Sequence, residues 1–351
     1  MTPRARAKTF CDRFGLRVPI LQAPMASSSP PALAAAVANA GGLGGGGALR
    51  LEPAAILDWA RAVRSASNGA FQLNLWIPDP PPSRDPEVEA RAAATMAQFG
   101  PVAVSPTAPP MPDFAAQCDA LLAAGPAVVS SMMGVYPSGF VAALKARGIA
   151  WFANATTVAE ALAAEAAGAD AVVAQGVEAG GHRGAFVAAT AEAQSIGLFV
   201  LLPQIADAVR VPVIAAGGIM DGRGVAAALA LGASAAQMGT AFLRCPETGT
   251  HPAWAAALAN SRPEDTVLTR AWSGRLGRSL RNPVTDAFTQ SPTAPYPIQG
   301  ALSVGVREAA AAASDIGRML AWAGQGAAQA RAEPAADVVR RIWAETETLI
   351  A

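Results

Sequence analysis

The sequence predicts an α/β chain folded as a (β/α)8 barrel, with a smaller, mostly helical domain inserted over the barrel mouth. Three observations carry that expectation. Short apolar runs alternate with Ala-rich helical segments and give eight strand candidates. Those runs are apolar on both faces, as strands of a parallel sheet covered by helices must be. The most glycine-rich segments fall where strand candidates end, the place where such barrels build their sites. The 351 residues leave room beyond the ~250 that one barrel needs. A doubly wound open sheet fits the same alternation, but eight strands favour closure.

Val18 to Pro24 reads as the first strand, and Pro31 to Ala40 as a helix stopped by Gly41 and Gly42. Leu43 to Gly47 is a glycine-rich second strand. Pro53 suits the first turn of the helix that runs to Ser65. Phe71 to Leu75 alternates as a third strand. Trp76 to Asp113 then changes character, with many prolines and one charged helix around Glu87 to Phe99, and reads as an excursion over the mouth. Regular alternation resumes with strands at Ala127 to Met132, Ile149 to Ala153 and Ala171 to Gln175. Helices at Ser138 to Arg147 and Thr157 to Ala167 separate them. A helix with Leu201 to Val209, a strand at Val213 to Ala216, a helix at Gly222 to Leu231 and a strand at Ala235 to Met238 complete the series. Glu247 to Gly300 reads as helices and Arg-rich turns, and Ala301 to Gly324 and Pro334 to Ile350 as Ala-rich helix.

Charge and cysteine content narrow the function. Positive and negative side chains balance at 26 each, without the Lys/Arg surplus that phosphate contacts need, so no nucleic-acid partner is expected. Cys11, Cys118 and Cys245 are too widely spaced for a zinc cluster or a disulfide framework. Two uncharged stretches, Ile20 to Leu49 and Val225 to Leu243, are broken by prolines, glycines and polar residues, so no membrane span is expected. The basic start (Arg4, Arg6, Lys8) lacks the apolar run of a secretory leader, and the expected location is the cytoplasm.

Chemistry is sought at the strand ends. Gly217 and Gly218 follow strand seven, and Gly239 and Thr240 follow strand eight. Glycines there let backbone N–H groups approach an anion, and the last two βα loops of a barrel commonly hold phosphate. A tight turn, with Asp221 as a helix cap, is the bland alternative. The segment Gln175 to Gly184 sets four glycines around one of only two histidines. Gly180 and Gly181 allow close approach to a flat ligand. His182 is presented from a loop as a general base. With no second histidine nearby, a metal site is not expected. His251, ahead of Pro252, reads as a helix-start residue. Gln22, Ala23, Pro24 and Met25 end strand one, and Asn74 lies on strand three.

Several motifs resemble the nitronate monooxygenases, formerly called 2-nitropropane dioxygenases: Q-A-P-M-A at Gln22 to Ala26, N-A-G-G-L-G at Asn39 to Gly44 and Q-G-V-E-A-G-G-H-R-G at Gln175 to Gly184. So do A-A-G-G-I-M-D-G-R-G at Ala215 to Gly224, Q-M-G-T-A-F-L at Gln237 to Leu243, T-R-A-W-S-G-R at Thr269 to Arg275 and W-A-G-Q at Trp322 to Gln325. The resemblance spans most of the chain. It implies FMN, with the phosphate on Gly217, Gly218, Gly239 and Thr240. It sets the ring near Ala23, Pro24, Met25, Asn74, Gln175, Gly180 and Gly181, with Gln325 also reaching the cofactor. It makes His182 the catalytic base and implies a barrel of 1–75, 114–245 and 301–351 with 76–113 and 246–300 combined in a smaller substrate domain over its mouth. The implied reaction turns an alkyl nitronate, or a nitroalkane after α-proton removal, into a carbonyl compound and nitrite with O2. Partners are then a small-molecule substrate and O2, and a homodimer is the assembly to test.

One departure concerns strand four. The family pattern V-V-S-F-H-F-G is replaced by V-V-S-S-M-M-G at Val128 to Gly134, which puts Met132 where a histidine is expected. Met132 and Tyr296 are the candidate substrate-pocket residues. Two other readings share the motifs: an FMN-dependent NAD(P)H:quinone or enoyl-thioester reductase on the same scaffold, and a flavin-binding protein without turnover.

Overall fold

The computed structural model describes residues 1–102 and 111–350. Its strands in chain order are β1 (Ile20–Gln22), β2 (Gly44–Gly47), β3 (Phe71–Trp76), β4 (Val128–Met132), β5 (Ala150–Ala155) and β6 (Ala171–Gln175). Then come β7 (Gly181–His182), β8 (Val213–Ala216), β9 (Ala235–Met238), β10 (Thr266–Thr269) and β11 (Gly277–Leu280). Eight of them form one parallel sheet in the order β1-β9-β8-β6-β5-β4-β3-β2. A parallel bridge between Leu21 and Leu43 joins the two ends and closes the (β/α)8 barrel. All eight anticipated strands are present, with ends within two residues of those expected.

The intervening helices pack their apolar stripes on the outside of the barrel. Local chemistry sets where they begin. Thr157 Oγ1 accepts from the Glu160 N–H to start Val158–Ala166, and Asp221 accepts from the Gly224 N–H to start Gly222–Ala230. The helix expected at Leu201 to Val209 begins earlier, spanning Leu198–Ala208.

Two features were not anticipated. The first is the helix Pro3–Phe14, a segment weighed in the sequence only as a leader. Ala7, Phe10, Cys11 and Phe14 recur at helical spacing. Phe10 and Cys11 pack with Leu21, Leu43, Val128, Phe152 and Ile214 at the strand starts. Phe14 meets Phe152 edge-on at 4.8 Å, and Arg6 donates to the Ala233 carbonyl at 2.9 Å. This helix plugs the N-terminal end of the barrel, so the opposite end is the one left open for chemistry. Phe10→Ala removes a fully buried ring and is expected to cost about 3–5 kcal/mol, measured by urea unfolding.

The second feature is a small sheet. β10 pairs antiparallel with β11, and β11 with β7, setting His182 opposite Gly277 and Gly181 opposite Arg278. Strands this short carry no readable alternation, and the sequence reading of 247–300 contained only helices and turns. The same region has its own apolar cluster, in which Ala92 and Met96 meet Trp272, Phe288, Ile298 and Leu302. The charged helix of the excursion spans Pro86–Met96. Part of the excursion, 103–110, lies outside the described residues. Among the described residues no helix is long and apolar enough to cross a membrane.

Candidate active site

A cavity of about 870 Å3 opens at the C-terminal ends of the barrel strands, a size that suits a cofactor with its substrate. Its most elaborate wall is the loop after β6. The Gln175 amide clamps that loop: Nε2 donates to the His182 carbonyl at 3.0 Å and Oε1 accepts from the Gly184 N–H at 2.8 Å. The buried Arg183 guanidinium donates to the carbonyls of Gln175, Gln194 and Thr156. The Glu178 carboxylate accepts from the Leu198 N–H. Gly180 has no substitute, because a Cβ there would lie 2.4 Å from the Gly324 nitrogen. Gly181 takes φ +76°, in the left-handed region.

These ties present the His182 ring to the cavity. Its Nε2 lies 2.7 Å from Ser273 Oγ. Trp76 and Trp322 flank it, each with ring centroids 4.8 Å away. Burial, and then the guanidiniums of Arg275, Arg307 and Arg50, push the imidazole pKa down to about 3. The neutral form, which alone can take a proton, therefore fills the site at neutral pH. Between pH 3 and the ordinary value of 6.5 the unfolded chain binds a proton here that the folded chain does not. This histidine's contribution to stability is complete above pH 6.5 and is lost as pH falls toward 3, with a slope of up to ~1.4 kcal/mol per pH unit. Urea unfolding of wild type and His182→Asn at pH 5 and pH 7 is expected to show the smaller pH dependence in the variant.

The structure positions the other anticipated residues as follows. Ala23, Pro24 and Met25 line the cavity after β1, and Asn74 lines it from β3 with its Nδ2 donating to Ser130 Oγ. Gly217 and Gly218, both at positive φ, and Gly239 and Thr240 form the floor after β8 and β9. Thr240 Oγ1 accepts from the Gly324 N–H at 3.0 Å. Met132 and Tyr296 line the opposite wall. His251 caps the helix Pro252–Ala259 as anticipated, and its ring also reaches the cavity. Gln325 is the exception. Its backbone N–H donates to the Glu178 carbonyl, and the wall is made by its neighbours Gly324 and Gly326. In an irregular segment adjacent residues face different ways, and the sequence motif could not tell which one faces in.

Sequence reasoning missed several wall residues. Arg50 follows β2, and Arg307 on the helix Ile298–Ala312 is held, among the described residues, only by long contacts to the Ser303 and Gly300 carbonyls at 3.4 and 3.5 Å. Trp76, Trp272, Trp322 and Ser273 complete the wall around the histidine. The indole N–H of Trp272, that of Trp254 and the Asn154 Nδ2 belong to lining residues and are buried without a partner among the described residues. Unpaired buried donors on a cavity wall mark places for ligand acceptors. Behind Ser273, the Arg275 guanidinium is 2% exposed and grips Asp79 with two contacts of 2.7 and 2.6 Å. A more open cleft of about 460 Å3 near Arg223, Arg244 and Arg341 holds none of the anticipated residues.

A family model described as nitronate monooxygenase matches residues 8–345. The chain belongs to the nitronate monooxygenase family. It is 43% identical to the nitronate monooxygenase of Pseudomonas aeruginosa over 95% of this chain and 99% of that one. Among solved structures it is similar to nitroalkane oxidase from Streptomyces ansochromogenes, with a TM-score of 0.89 and 38% identity, covering 97% and 98% of the two chains. The likeness to FabK from Thermotoga maritima is more distant, at a TM-score of 0.76 and 29% identity, covering 97% and 96%. Like other members of the nitronate monooxygenase family, the chain is an oxidoreductase.

Proposed function

We propose that this family member binds FMN and converts alkyl nitronates, or nitroalkanes after α-proton removal, into a carbonyl compound and nitrite with O2. One observation carries the reading. A neutral histidine stands on the wall of a cofactor-sized cavity, with guanidiniums around it and no carboxylate against its ring. A nitronate is an anion, and removing an α-proton from a nitroalkane creates one. Arg50 and Arg307 are fixed cations where that charge develops, and the indoles exclude water that would weaken their field.

The donor set fits FMN. Gly217, Gly218 and Gly239 leave backbone open to the phosphate with Thr240 beside them, and the donors of Asn154, Trp254 and Trp272, unpaired among the described residues, await acceptors. The ring is assigned to the wall formed by Ala23, Pro24, Met25, Asn74, Gln175, Gly180 and Gly181. When bound, FMN supplies the electron acceptor and the route to O2. His182 takes the α-proton of a neutral substrate. Met132 and Tyr296 shape the substrate end, where the thioether makes the pocket more apolar than a histidine would. The proposal includes the division into a barrel and a substrate domain of 76–113 and 246–300, whose apolar cluster also takes in the helix Ile298–Ala312. It further includes a cytoplasmic location and a homodimer, tested by fractionation and sedimentation.

Arg307→Met is expected to raise KM for a nitronate about 10–100-fold, the effect of one charge-assisted hydrogen bond, with a smaller change in kcat. Steady-state kinetics checks it. The function itself is tested by incubating the FMN-loaded protein with nitronates in air. Nitrite release accompanied by O2 uptake is expected, and O2 uptake without nitrite from any nitronate would refute the assignment.

A further inference from the structure

We propose that Ser273 is a positioning residue that holds the His182 ring with its proton on Nε2, leaving Nδ1 as the atom that takes the substrate proton. The inference rests on the reading of His182 as the base and adds which nitrogen acts and what selects it.

The argument is one of donor and acceptor counting. A serine hydroxyl has one proton to give and two lone pairs to offer. Ser273 Oγ has three neighbours: the Arg275 carbonyl at 3.2 Å, the Arg275 N–H at 3.2 Å and His182 Nε2 at 2.7 Å. The carbonyl can only accept and the N–H can only donate. The carbonyl takes the hydroxyl proton and the amide fills one lone pair. The remaining lone pair faces Nε2, so the proton in that short contact comes from the histidine. Ser273 Oγ is also the only hydrogen-bond donor to the Arg275 carbonyl among the described residues. Turning the hydroxyl toward Nε2 would leave that carbonyl without a donor, and an unpaired carbonyl away from water is unfavourable.

The choice matters because the two tautomers differ in what they offer the cavity. Nδ1 has no protein partner among the described residues. With the proton on Nε2, Nδ1 carries a free lone pair. With the proton on Nδ1, the only acceptor of the ring is already blocked by the serine. The support of Ser273 is rigid: its N–H donates to the Arg270 carbonyl, and the side chain of Arg275 is locked on Asp79. The charged groups that act on the ring are Arg50 after β2, Arg307 on its helix and Arg275, whose charge is balanced by Asp79, and Tyr296 stands beyond Trp76. The guanidiniums can only donate, and among the described residues Ser273 Oγ is the one group within hydrogen-bond distance of the ring, so the serine receives Nε2–H before and after proton transfer.

The test uses the FMN-loaded protein with 15N-labelled histidine. The chain has two histidines, and His251→Gln assigns the signals. His251 also serves as a reference, since its Nδ1 accepts from the Ala253 N–H. Wild type is expected to show His182 protonated at Nε2 and bare at Nδ1. In Ser273→Ala a mixture of tautomers should appear. The ratio of kcat/KM for a neutral nitroalkane to that for its preformed nitronate should fall roughly 10–100-fold, the usual effect of losing a hydrogen bond that orients an imidazole. Ser273→Thr, which keeps the hydroxyl, should restore most of that ratio. A wild-type ring protonated at Nδ1 overturns the inference, and that spectrum decides even if Ser273→Ala does not fold. So does a Ser273→Ala protein that keeps both the wild-type spectrum and the wild-type ratio. If His182→Asn leaves the ratio unchanged, the base reading itself falls. If only Ser273→Ala leaves it unchanged, the role of the serine falls alone.

Discussion

His182→Asn is expected to lower kcat/KM for a neutral nitroalkane by about 10²–10⁴-fold and to affect a preformed nitronate far less. The asymmetry follows from what the ring does. A neutral substrate must lose an α-proton, and His182 is the cavity histidine on which the guanidiniums act, whereas the Nδ1 of His251 is taken up in capping its helix. A preformed nitronate has already lost that proton and needs from this wall only a shape and a field, which Trp76, Trp322, Arg50 and Arg307 still supply. Parallel steady-state assays on one nitroalkane and its nitronate check it. An equal loss on both would mean that the ring serves binding alone.

Asp79→Ala is expected to cost about 3–5 kcal/mol, measured by urea unfolding. Its carboxylate makes both contacts to a guanidinium that is 2% exposed, and removing it strands a charge in a dry site. The Ala185 carbonyl, at 3.3 Å from Nη1, offsets little of that loss. The double variant with Arg275→Met should recover much of the stability, because an apolar side chain there leaves no charge to solvate. Activity should fall in both, since the Arg275 backbone is what Ser273 leans on.

These two residues mark the reach of sequence reasoning. The barrel strands were legible because each is short, bounded by turn residues and apolar on both faces. His182 was legible because a histidine among four glycines suits neither a helix nor a core. Ser273 was legible only as part of a resemblance: its contact with His182 spans 91 positions, and no local pattern encodes it. Arg307 looks in sequence like an ordinary polar position of an Ala-rich helix, and the fold turns it into the cavity. The plug helix is hard to read in sequence because charged residues outnumber the apolar face of Ala7, Phe10, Cys11 and Phe14, and that face is buried only once the barrel gives it strand ends to cover. Gln325 does not line the cavity, whereas its neighbours Gly324 and Gly326 do, a difference that no motif encodes in an irregular segment.

The most direct test of the central claim is anaerobic mixing of the FMN-loaded protein with one reductant at a time, followed by visible absorbance. Rapid bleaching of the flavin by an alkyl nitronate, with NADH or NADPH leaving the colour unchanged over the same time, is the expected result. Bleaching by a reduced nicotinamide and none by any nitronate would contradict the account and assign the cavity to a reductase.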